Sequence, residues 1–443
     1  MRRIFSDYAY GDGPRKGCWW DETSKNPDRP TLSGVRDAEV VIIGAGYTGL
    51  SAAYHLARAG WQTLVLEAEA PGWGASGRNG GFCCLGGGML SDATLDARFG
   101  KKDRLEFRAA ERAAVDLVSR LIENLGLDVD RHSKGETELA HRPRDMIGLR
   151  SKAETIEENY GVRPDIVEAS DLARYGLSGS FHGALTIPIG FGLNPLKYLH
   201  GLAAAAEAEG AVICPHSPVM GFETEGAHHC LQTPSGIVRA RQVIVATNGY
   251  SSEDLPAWLA GRYMPFQSNV LVTRPLTPSE IERQGWTSDQ MCYDTRHLLH
   301  YFRLMPDGRF LFGMRGGLMT GARAEAQARK RICRDFARLF PKWAQVDVSH
   351  IWSGMVCLAR GSLPFVGETT PGSRIWAGLC YHGNGVAMAS LAGRILADLV
   401  RGAQPPIWPK AMQIPLRRFP FGRARRLIMP PTYLGLMLSD YGS

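Results

Sequence analysis

Residues 39–49 read Glu39-Val40-Val41-Ile42-Ile43-Gly44-Ala45-Gly46-Tyr47-Thr48-Gly49. The apolar run before the first glycine is typical of a buried parallel strand, and the apolar residues over 50–57 indicate a helix that ends near residue 60. Thr63-Leu64-Val65-Leu66 predicts a second strand that finishes at Glu67. Together these segments predict a β–α–β unit in which the pattern GxGxxG joins the first strand to the helix.

Each glycine of this unit has a physical role. Gly44 allows a tight turn, Gly46 lets the main chain approach a pyrophosphate, and Gly49 lets the helix pack closely on the strand. The free N–H groups at the helix N-terminus favour a phosphate, and Glu67 can accept hydrogen bonds from ribose hydroxyls. An acid at this position would repel the additional phosphate of NADP. The unit therefore predicts a dinucleotide site.

Three later segments favour FAD over NAD. The second strand is followed by Gly72-Trp73-Gly74-Ala75-Ser76-Gly77-Arg78-Asn79-Gly80-Gly81-Phe82, whose small residues let a loop lie against a long cofactor and donate N–H groups. A strand over 242–250 ends in small polar residues, which suits a return of the chain to the nucleotide sheet. Residues 375–389 combine a strand, a glycine-rich turn and a helix N-terminus that can stabilise negative charge on a reduced flavin.

These segments resemble the D-amino-acid-oxidase-like (DAO) superfamily of FAD oxidoreductases, which includes glycine oxidase, sarcosine oxidase and D-amino-acid dehydrogenase. The loop GWGASGRNGGF is most similar to the γ-glutamylputrescine oxidase branch. Similar segments follow at 301–313, at Trp352-Ser353-Gly354 with 363–367, over 385–394 and over 415–420. The resemblance therefore runs from about residue 20 to the C-terminus.

The resemblance implies an α/β fold of two interleaved domains. A Rossmann-like FAD-binding domain of the GR2/DAO type is expected over 1–90, 192–252 and 345–443. An α+β substrate domain that contains a mixed β-sheet is expected over 91–191 and 253–344. In this family the mixed sheet forms a roof over the flavin.

The glycine-rich segments and the resemblance together predict the residues that bind FAD. The first β–α–β unit supplies Gly44, Ala45, Gly46, Tyr47, Thr48, Gly49, Glu67 and Ala68. The loop after it supplies Gly74, Ala75, Ser76, Gly77, Arg78, Asn79, Gly80 and Gly81. The later segments supply Val219, Thr247, Gly249, Trp352, Gly354, Gly383, Asn384, Gly385, Val386 and Ala387.

The implied reaction is oxidation of the C–N bond of a small amine or amino acid, such as a γ-glutamylputrescine-like amine, a secondary amine or a D-amino acid. Hydride would pass from carbon to flavin N5, and the imine would be hydrolysed. Because the flavin performs the difficult chemistry, the protein has mainly to position the C–H bond and exclude water. The candidate catalytic residues are His382 to hold or deprotonate the amine, Tyr301 to cap the pocket and Arg303 to pair with a substrate carboxylate. A structural role is the competing interpretation for each.

Departures from the family's pattern leave the substrate and the electron acceptor open. Asn384 stands where the family often has histidine, and His382 lies two residues earlier. Arg360-Gly361-Ser362 replaces the usual acidic or amide residue before Leu-Pro. No lysine is present over 264–270, where some sarcosine oxidases place one thought to assist oxygen. Oxygen and a quinone therefore both stay open as the electron acceptor.

Three other functions are alternatives. One is an amino-acid dehydrogenase that passes electrons to quinone at a membrane. Another is a non-catalytic flavin-binding subunit of a larger amine oxidase complex. The third is a flavin monooxygenase of the aromatic-hydroxylase type, which would need the NADPH that Glu67 disfavours.

The net charge of +7 is concentrated near the C-terminus. Between residues 399 and 439 there is no acid, and the basic residues are Arg401, Lys410, Arg417, Arg418, Arg423, Arg425 and Arg426. A membrane or an acidic partner is one interpretation of this segment, and a folded surface is the favoured one. Nucleic acid is not expected, because aromatic residues do not alternate with the basic ones.

The nine cysteines are scattered and contain no CxxC pair. The sequence therefore predicts neither a disulfide framework nor a metal site. No apolar run reaches the length of a membrane span, and no apolar core of a signal peptide follows the first arginines. A cytoplasmic location is expected.

Overall fold

A computed structural model describes residues 1–317 and 319–441 of the chain. Two eight-stranded sheets and a two-stranded ribbon organise these residues. The strands in chain order are β1 (Gly34–Ile43), β2 (Thr63–Leu66), β3 (Phe82–Cys83), β4 (Glu136–Leu139), β5 (Asp165–Glu168), β6 (Gly183–Ile187), β7 (Phe191–Gly192), β8 (Val212–Cys214), β9 (Gly221–Glu225), β10 (His228–Gln232), β11 (Gly236–Val245), β12 (Met264–Thr273), β13 (Met291–Asp294), β14 (His300–Leu304), β15 (Phe310–Arg315), β16 (Val348–Leu358), β17 (Phe365–Glu368) and β18 (Ile375–Leu379). The α-helices are α1 (Tyr47–Arg58), α2 (Asp92–Phe99), α3 (Lys101–Asn124), α4 (Asp145–Tyr160), α5 (Pro195–Ala208), α6 (Pro278–Gln284), α7 (Ala322–Leu339), α8 (Gly385–Val400), α9 (Lys410–Gln413) and α10 (Met429–Tyr441).

The first sheet has the strand order β17-β18-β11-β1-β2-β8, and β10 and β9 extend it beside β11. Strand β1 is parallel to β2 and β11, and β11 is parallel to β18. Val40 and Ile42 pack with helices α1, α5 and α8, while Val41 and Ile43 pack into a second cluster on the opposite face. Burial on both faces explains why the strand is apolar without interruption. The predicted α/β class with a Rossmann-like unit is confirmed.

The second sheet has the order β16-β12-β15-β14-β13-β4-β6-β5. Neighbouring strands are antiparallel except β13 and β4, which are parallel, so the sheet is mixed as expected. One face buries Phe302 and Phe312 against Trp286 and helix α7. Because side chains alternate along a strand, the opposite face carries their sequence neighbours, including Tyr301.

The expected domain boundary at residue 345 separates two strands that pair with each other. Strand β16 lies after this boundary, but it pairs with β12 along its length, from Leu358 opposite Met264 to Val348 opposite Thr273. Its hydrogen bonds place β16 in the second sheet, whereas the sequence assigned it to the FAD-binding domain. The division into two interleaved domains stays a proposal, with β16 now on the substrate side.

The basic segment after residue 399 is folded against the rest of the protein. The completely buried Arg425 side chain pairs with Glu253, and Lys410 pairs with Asp103. These ion pairs favour the folded surface over a free basic tail. Among the described residues, none of the helices combines the length and the hydropathy that a membrane span requires. The same residues contain no cluster of His, Cys, Asp and Glu that fits a metal ion, and their cysteines are free thiols.

Candidate active site

A cavity of about 400 Å³ lies between the two sheets. The carboxyl ends of β1, β2 and β11 form its floor, and one face of the second sheet forms its roof. In open parallel sheets ligands bind beyond the carboxyl ends of the strands, because the loops there leave a crevice. This cavity is therefore the candidate active site.

The turn between β1 and α1 brings the main chain close to the cavity. Gly44 has φ +107°, and a Cβ there would lie 2.9 Å from the Ala246 carbonyl oxygen. A Cβ at Gly49 would lie 1.9 Å from the Gly44 carbonyl oxygen, so the helix can approach the strand only because this residue is glycine. At the start of α1 the Tyr47 N–H donates to Ser76 Oγ at 3.1 Å, and the following N–H groups of the first turn have no side-chain cap and are left for a phosphate. The turn thus fits the diphosphate of a dinucleotide.

Glu67 lies at the end of β2 and lines the cavity. Its carboxylate accepts hydrogen bonds from the Ala45 N–H at 2.7 Å and from the Glu69 N–H at 3.0 Å. Burial raises the pKa of Glu67, and these two N–H groups act in the opposite direction. The carboxylate is therefore held beside the glycine turn, where it fits the ribose of a bound nucleotide.

The loop over 72–82 borders the cavity and is held by Arg78. The Arg78 guanidinium lies 4.1 Å from the centre of the Trp73 ring, and its Nε donates to the Trp73 carbonyl oxygen at 2.7 Å. Trp352 supports the loop by donating its indole N–H to the Arg78 carbonyl oxygen at 2.8 Å. Arg78 Nη2 is buried and has no hydrogen-bond partner in the described part of the protein. Since such a group is costly, an acceptor on a bound cofactor fits here.

The turn between β18 and α8, which we call the far turn (residues 380–385), forms the other end of the cavity. Asn384 Nδ2 donates to the Leu85 carbonyl oxygen at 2.7 Å and connects this turn to the segment after the glycine-rich loop. Helix α8 begins at Gly385 without a side-chain cap. Its free N–H groups and partial positive charge suit the flavin ring, whose reduced form carries negative charge.

The predicted FAD-binding residues fall into two groups. Those that line the cavity are Gly44, Ala45, Gly46, Tyr47, Thr48, Glu67, Ala68, Gly74, Ala75, Ser76, Arg78, Asn79, Gly80, Val219, Thr247, Gly354, Gly383, Asn384, Gly385 and Val386. Those that lie outside the lining are Gly49, Gly77, Gly81, Gly249, Trp352 and Ala387. Glycines of the second group allow close packing: a Cβ at Gly77 would lie 2.1 Å from the Gly72 carbonyl oxygen. The glycine pattern therefore predicted two kinds of residue: those that line the cavity, and those whose close packing supports the lining.

His382 lines the cavity, but both of its ring nitrogens are occupied. Nδ1 lies 3.0 Å from the Gly87 carbonyl oxygen, and Nε2 lies 3.2 Å from the Ala359 backbone nitrogen. Since the carbonyl must accept and the N–H must donate, the ring is neutral and carries its proton on Nδ1. Burial lowers the pKa of His382 to about 4. Of the interpretations left open by the sequence, we therefore assign His382 the structural role, in the far turn, and neither binding nor deprotonation of the amine.

Tyr301 and Arg303 lie on the same face of β14, but only Tyr301 lines the cavity. Arg303 is buried, and its guanidinium donates to the carbonyl oxygens of Gly80 at 2.9 Å and Leu193 at 2.8 Å. Its remaining nitrogen lies 2.7 Å from His132 Nε2. The three nitrogens are all used within the protein. Of the two interpretations left open by the sequence, we therefore assign Arg303 the structural role, in supporting the glycine-rich loop, and not pairing with a substrate carboxylate.

Replacing Arg303 by methionine is expected to lower the free energy of unfolding by about 3 kcal/mol, because it removes three buried hydrogen bonds of a charged donor. Urea unfolding measures this loss. The ratio of kcat/KM for a carboxylated amine to kcat/KM for an uncharged amine should change less than about threefold. Unchanged stability together with a large change in that ratio would contradict our assignment of Arg303.

The lining residues of the roof that were not predicted from the sequence include Glu136, Tyr293 and Arg315. Strand pairing puts Tyr293 opposite Tyr301 and Tyr301 opposite Gly313, and Arg315 lies two residues beyond Gly313. These side chains therefore share the face that looks into the cavity. The alternation along each strand was visible in the sequence, but only the register between strands brings the residues together.

Arg315 places a buried cation at the cavity. Its Nη2 lies 3.4 Å from the His382 carbonyl oxygen in the far turn. Burial lowers the pKa of the guanidinium, and Tyr301 acts in the opposite direction. No acidic side chain within residues 1–317 and 319–441 forms an ion pair with it. Because a buried charge without a counterion is unfavourable, an anionic group that enters the cavity would be bound strongly.

A glycine turn for a diphosphate, an acid for a ribose and an uncapped helix at the far turn together define a flavin-dinucleotide oxidoreductase. A sequence profile of the family described as FAD dependent oxidoreductase (DAO) matches residues 39–399. The chain belongs to this family, and its cofactor is FAD. The resemblance stated from the sequence is thereby confirmed.

Individual relatives agree with this family. The chain is 29% identical over 405 residues to gamma-glutamylputrescine oxidoreductase of Escherichia coli (strain K12), covering 91% of this chain and 92% of that protein. It is 30% identical over 409 residues to a probable oxidoreductase, OrdL, of Rhizobium meliloti (strain 1021), covering 91% and 92%. The crystal structure of glycine oxidase from Geobacillus kaustophilus is similar in fold, with a TM-score of 0.70 and 20% identity, covering 85% of this chain and 98% of that chain.

Proposed function

We propose that this protein oxidises the C–N bond of a small amine or amino acid that carries a carboxylate group. The observation that supports the proposal is the Arg315 guanidinium, which lines the cavity without an acidic partner in the described residues. A guanidinium binds a carboxylate through two parallel hydrogen bonds, which fix both the position and the orientation of the substrate. FAD, when bound, supplies the hydride acceptor for the carbon that bears the nitrogen.

The residues of the chain hold the substrate and exclude water. Arg315 would bind the carboxylate at the far turn. Tyr301 would cap the amine, since its hydroxyl is fixed 3.1 Å from Ser268 Oγ in the roof. Burial raises the pKa of Tyr301, so its hydroxyl stays neutral at physiological pH and can donate a hydrogen bond. Positioning of this kind accounts for much of the rate that an enzyme contributes to a reaction performed by its cofactor.

The named relatives suggest which substrates to test first. The chain is similar to proteins named for γ-glutamylputrescine, for glycine and for D-amino acids. γ-Glutamylputrescine has its carboxylate far from the terminal amine, whereas an amino acid has the two groups on one carbon. The distance between carboxylate and amine is therefore the property that a substrate panel should vary.

The test is an anaerobic screen of the purified holoenzyme. Each amine is mixed with the protein, and reduction is followed as loss of the visible flavin absorbance. Carboxylated amines are expected to bleach the flavin faster than matched amines that lack the carboxylate. If no amine bleaches the flavin and the protein copurifies with another chain, the result would instead favour the alternative of a non-catalytic flavin-binding subunit.

The electron acceptor is measured in the same experiment. We propose oxygen or a quinone as acceptor, and admitting each of them to the reduced enzyme gives its rate of reoxidation. Faster reoxidation by a quinone analogue identifies a dehydrogenase. Faster reoxidation by oxygen identifies an oxidase.

A further inference from the structure

Glu136 is a buried carboxylic acid in the roof of the cavity. It is the first residue of β4, it is 4% exposed, and it lines the cavity together with Tyr293 and Arg315. In the parallel pair of β13 and β4, Tyr293 is opposite Glu138, two residues beyond Glu136. Glu136 therefore lies on the face of the sheet that also carries Tyr301.

Hydrogen bonds connect Glu136 to the far turn. The Leu85 backbone hydrogen-bonds to the Glu136 carboxyl group, and the Leu85 carbonyl oxygen accepts from Asn384 Nδ2 at 2.7 Å. Arg315 contacts the same turn through the His382 carbonyl oxygen. An acid and a cation thus both line the cavity, the acid through Leu85 and the cation directly beside the far turn. A substrate with an ammonium group and a carboxylate group matches this arrangement of charge.

Within the described residues, no cation forms an ion pair with the Glu136 carboxylate. Lys152 on α4 is the basic group that lowers the pKa of Glu136, but its ammonium is hydrogen-bonded to Glu138 at 2.6 Å. Burial has the largest effect and raises the pKa of Glu136 to about 7. The titratable groups that interact with Glu136 from the surrounding elements are Lys152, Glu138, Tyr293, Cys83, Cys84 and Tyr160.

We propose that Glu136 is the base of this active site and that its carboxylate accepts a proton from the ammonium group of the bound substrate. The proposal rests on the proposed function, because it requires an amine substrate. One N–H bond of the ammonium breaks, the proton forms an O–H bond with Glu136, and the electron pair stays on nitrogen. No bond to carbon changes, and nothing is oxidised or reduced in this step. The neutral amine that results has the lone pair that C–H oxidation needs.

The burial of Glu136 suits this step. A solvated carboxylate has a pKa near 4 and is a weak base toward an ammonium group. The pKa of the Glu136 carboxyl group is raised to about 7, which is closer to the pKa of the substrate ammonium group. Moving the proton therefore needs less free energy. Tyr293 acts against burial, because its hydrogen bonding to the carboxyl group lowers the pKa of Glu136.

The test is the pH dependence of flavin reduction in the Glu136→Gln holoenzyme. Glutamine keeps the shape of the side chain but cannot accept the proton. At limiting concentrations of a carboxylated amine, the anaerobic reduction rate is expected to fall about 100-fold at pH 7.5, because only the neutral fraction of the amine in solution then reacts. The loss should shrink about tenfold for each pH unit as the pH approaches the pKa of the free amine.

Glu168→Gln is the matched control, because Glu168 lies on β5 of the same sheet, pairs with Arg150 and does not line the cavity. Its reduction rate should stay within about threefold of wild type. Wild-type enzyme supplies a second test that needs no variant: its rate should fall as the pH drops below about 7 and Glu136 becomes protonated.

Infrared titration of the resting protein gives a readout without turnover. Wild type should lose a protonated-carboxyl band near pH 7, and the Glu136→Gln protein should lack that band. A variant whose reduction rate keeps the wild-type pH dependence would overturn the proposal, and so would an unchanged infrared titration. A wild-type enzyme that no amine reduces would overturn the proposed function instead, whatever the infrared titration gives.

Discussion

A Gly49→Ala protein should be purified without FAD. A Cβ at this position would lie 1.9 Å from the Gly44 carbonyl oxygen, which belongs to the main chain and cannot rotate away. The start of α1 must therefore move away from β1, and the N–H groups of its first turn move with it. We expect the affinity for FAD to fall by at least about 3 kcal/mol, which is about 150-fold.

Reconstitution of the apoprotein with FAD, followed by flavin fluorescence, measures this loss. Gly148→Ala is the matched control, since Gly148 lies on an exposed part of α4 and a Cβ there would meet nothing within 4 Å. The control should bind FAD like wild type and gain about 0.5 to 1 kcal/mol in stability, because alanine favours a helix. If Gly49→Ala binds FAD with wild-type affinity, the diphosphate lies elsewhere.

Arg315→Met should remove the preference for carboxylated amines. The substrate carboxylate would lose its charged partner inside a buried cavity, and we expect kcat/KM for such substrates to fall by about 3 kcal/mol, or about 150-fold. For matched amines without a carboxylate the change should be less than about threefold. Steady-state kinetics on the two substrate series measures both values.

Two further observations separate substrate binding by Arg315 from a structural role. Arg315→Lys keeps the charge but loses the planar pair of donors, so it should recover only part of the activity on carboxylated amines. The stability of Arg315→Met should not fall, because the substitution removes a buried charge that has no acidic partner among the described residues. Equal losses on both substrate series, together with lower stability, would contradict the proposed carboxylate site.

The nucleotide half of the fold was predictable because its signals are local. Residues 39–67 contain strand, turn, helix and acid in one continuous segment, and the structure reproduces that order in β1, α1 and β2. The steric need for Gly49 follows from the same short segment. The sequence assigned strand β16 to the FAD-binding domain. Its partner β12 lies far away in the chain, and no local sequence pattern predicts the pairing of two such distant strands.

The catalytic candidates were less predictable for the same reason. Arg303 and Arg315 are both arginines in strands of the second sheet, and the sequence alone does not say which of them reaches the cavity. The structure places the Arg303 guanidinium among carbonyl oxygens and Arg315 at the cavity. Likewise His382 was a candidate to hold or deprotonate the amine, with a structural role as the competing interpretation. Its two ring nitrogens are bonded to backbone groups, and Glu136 lines the roof.

The order of strands in the first sheet has a consequence for how the holoenzyme is made. Strand β1 pairs with β11, where Gly34 is opposite Gly236, and β11 pairs in turn with β18, where Val243 is opposite Ile375. Contacts between such distant segments form late, because the intervening chain must first be synthesised and brought together. A ribosome-bound chain that stops short of β18 and α8 should therefore not retain FAD, and cofactor insertion should follow translation of the last third of the protein.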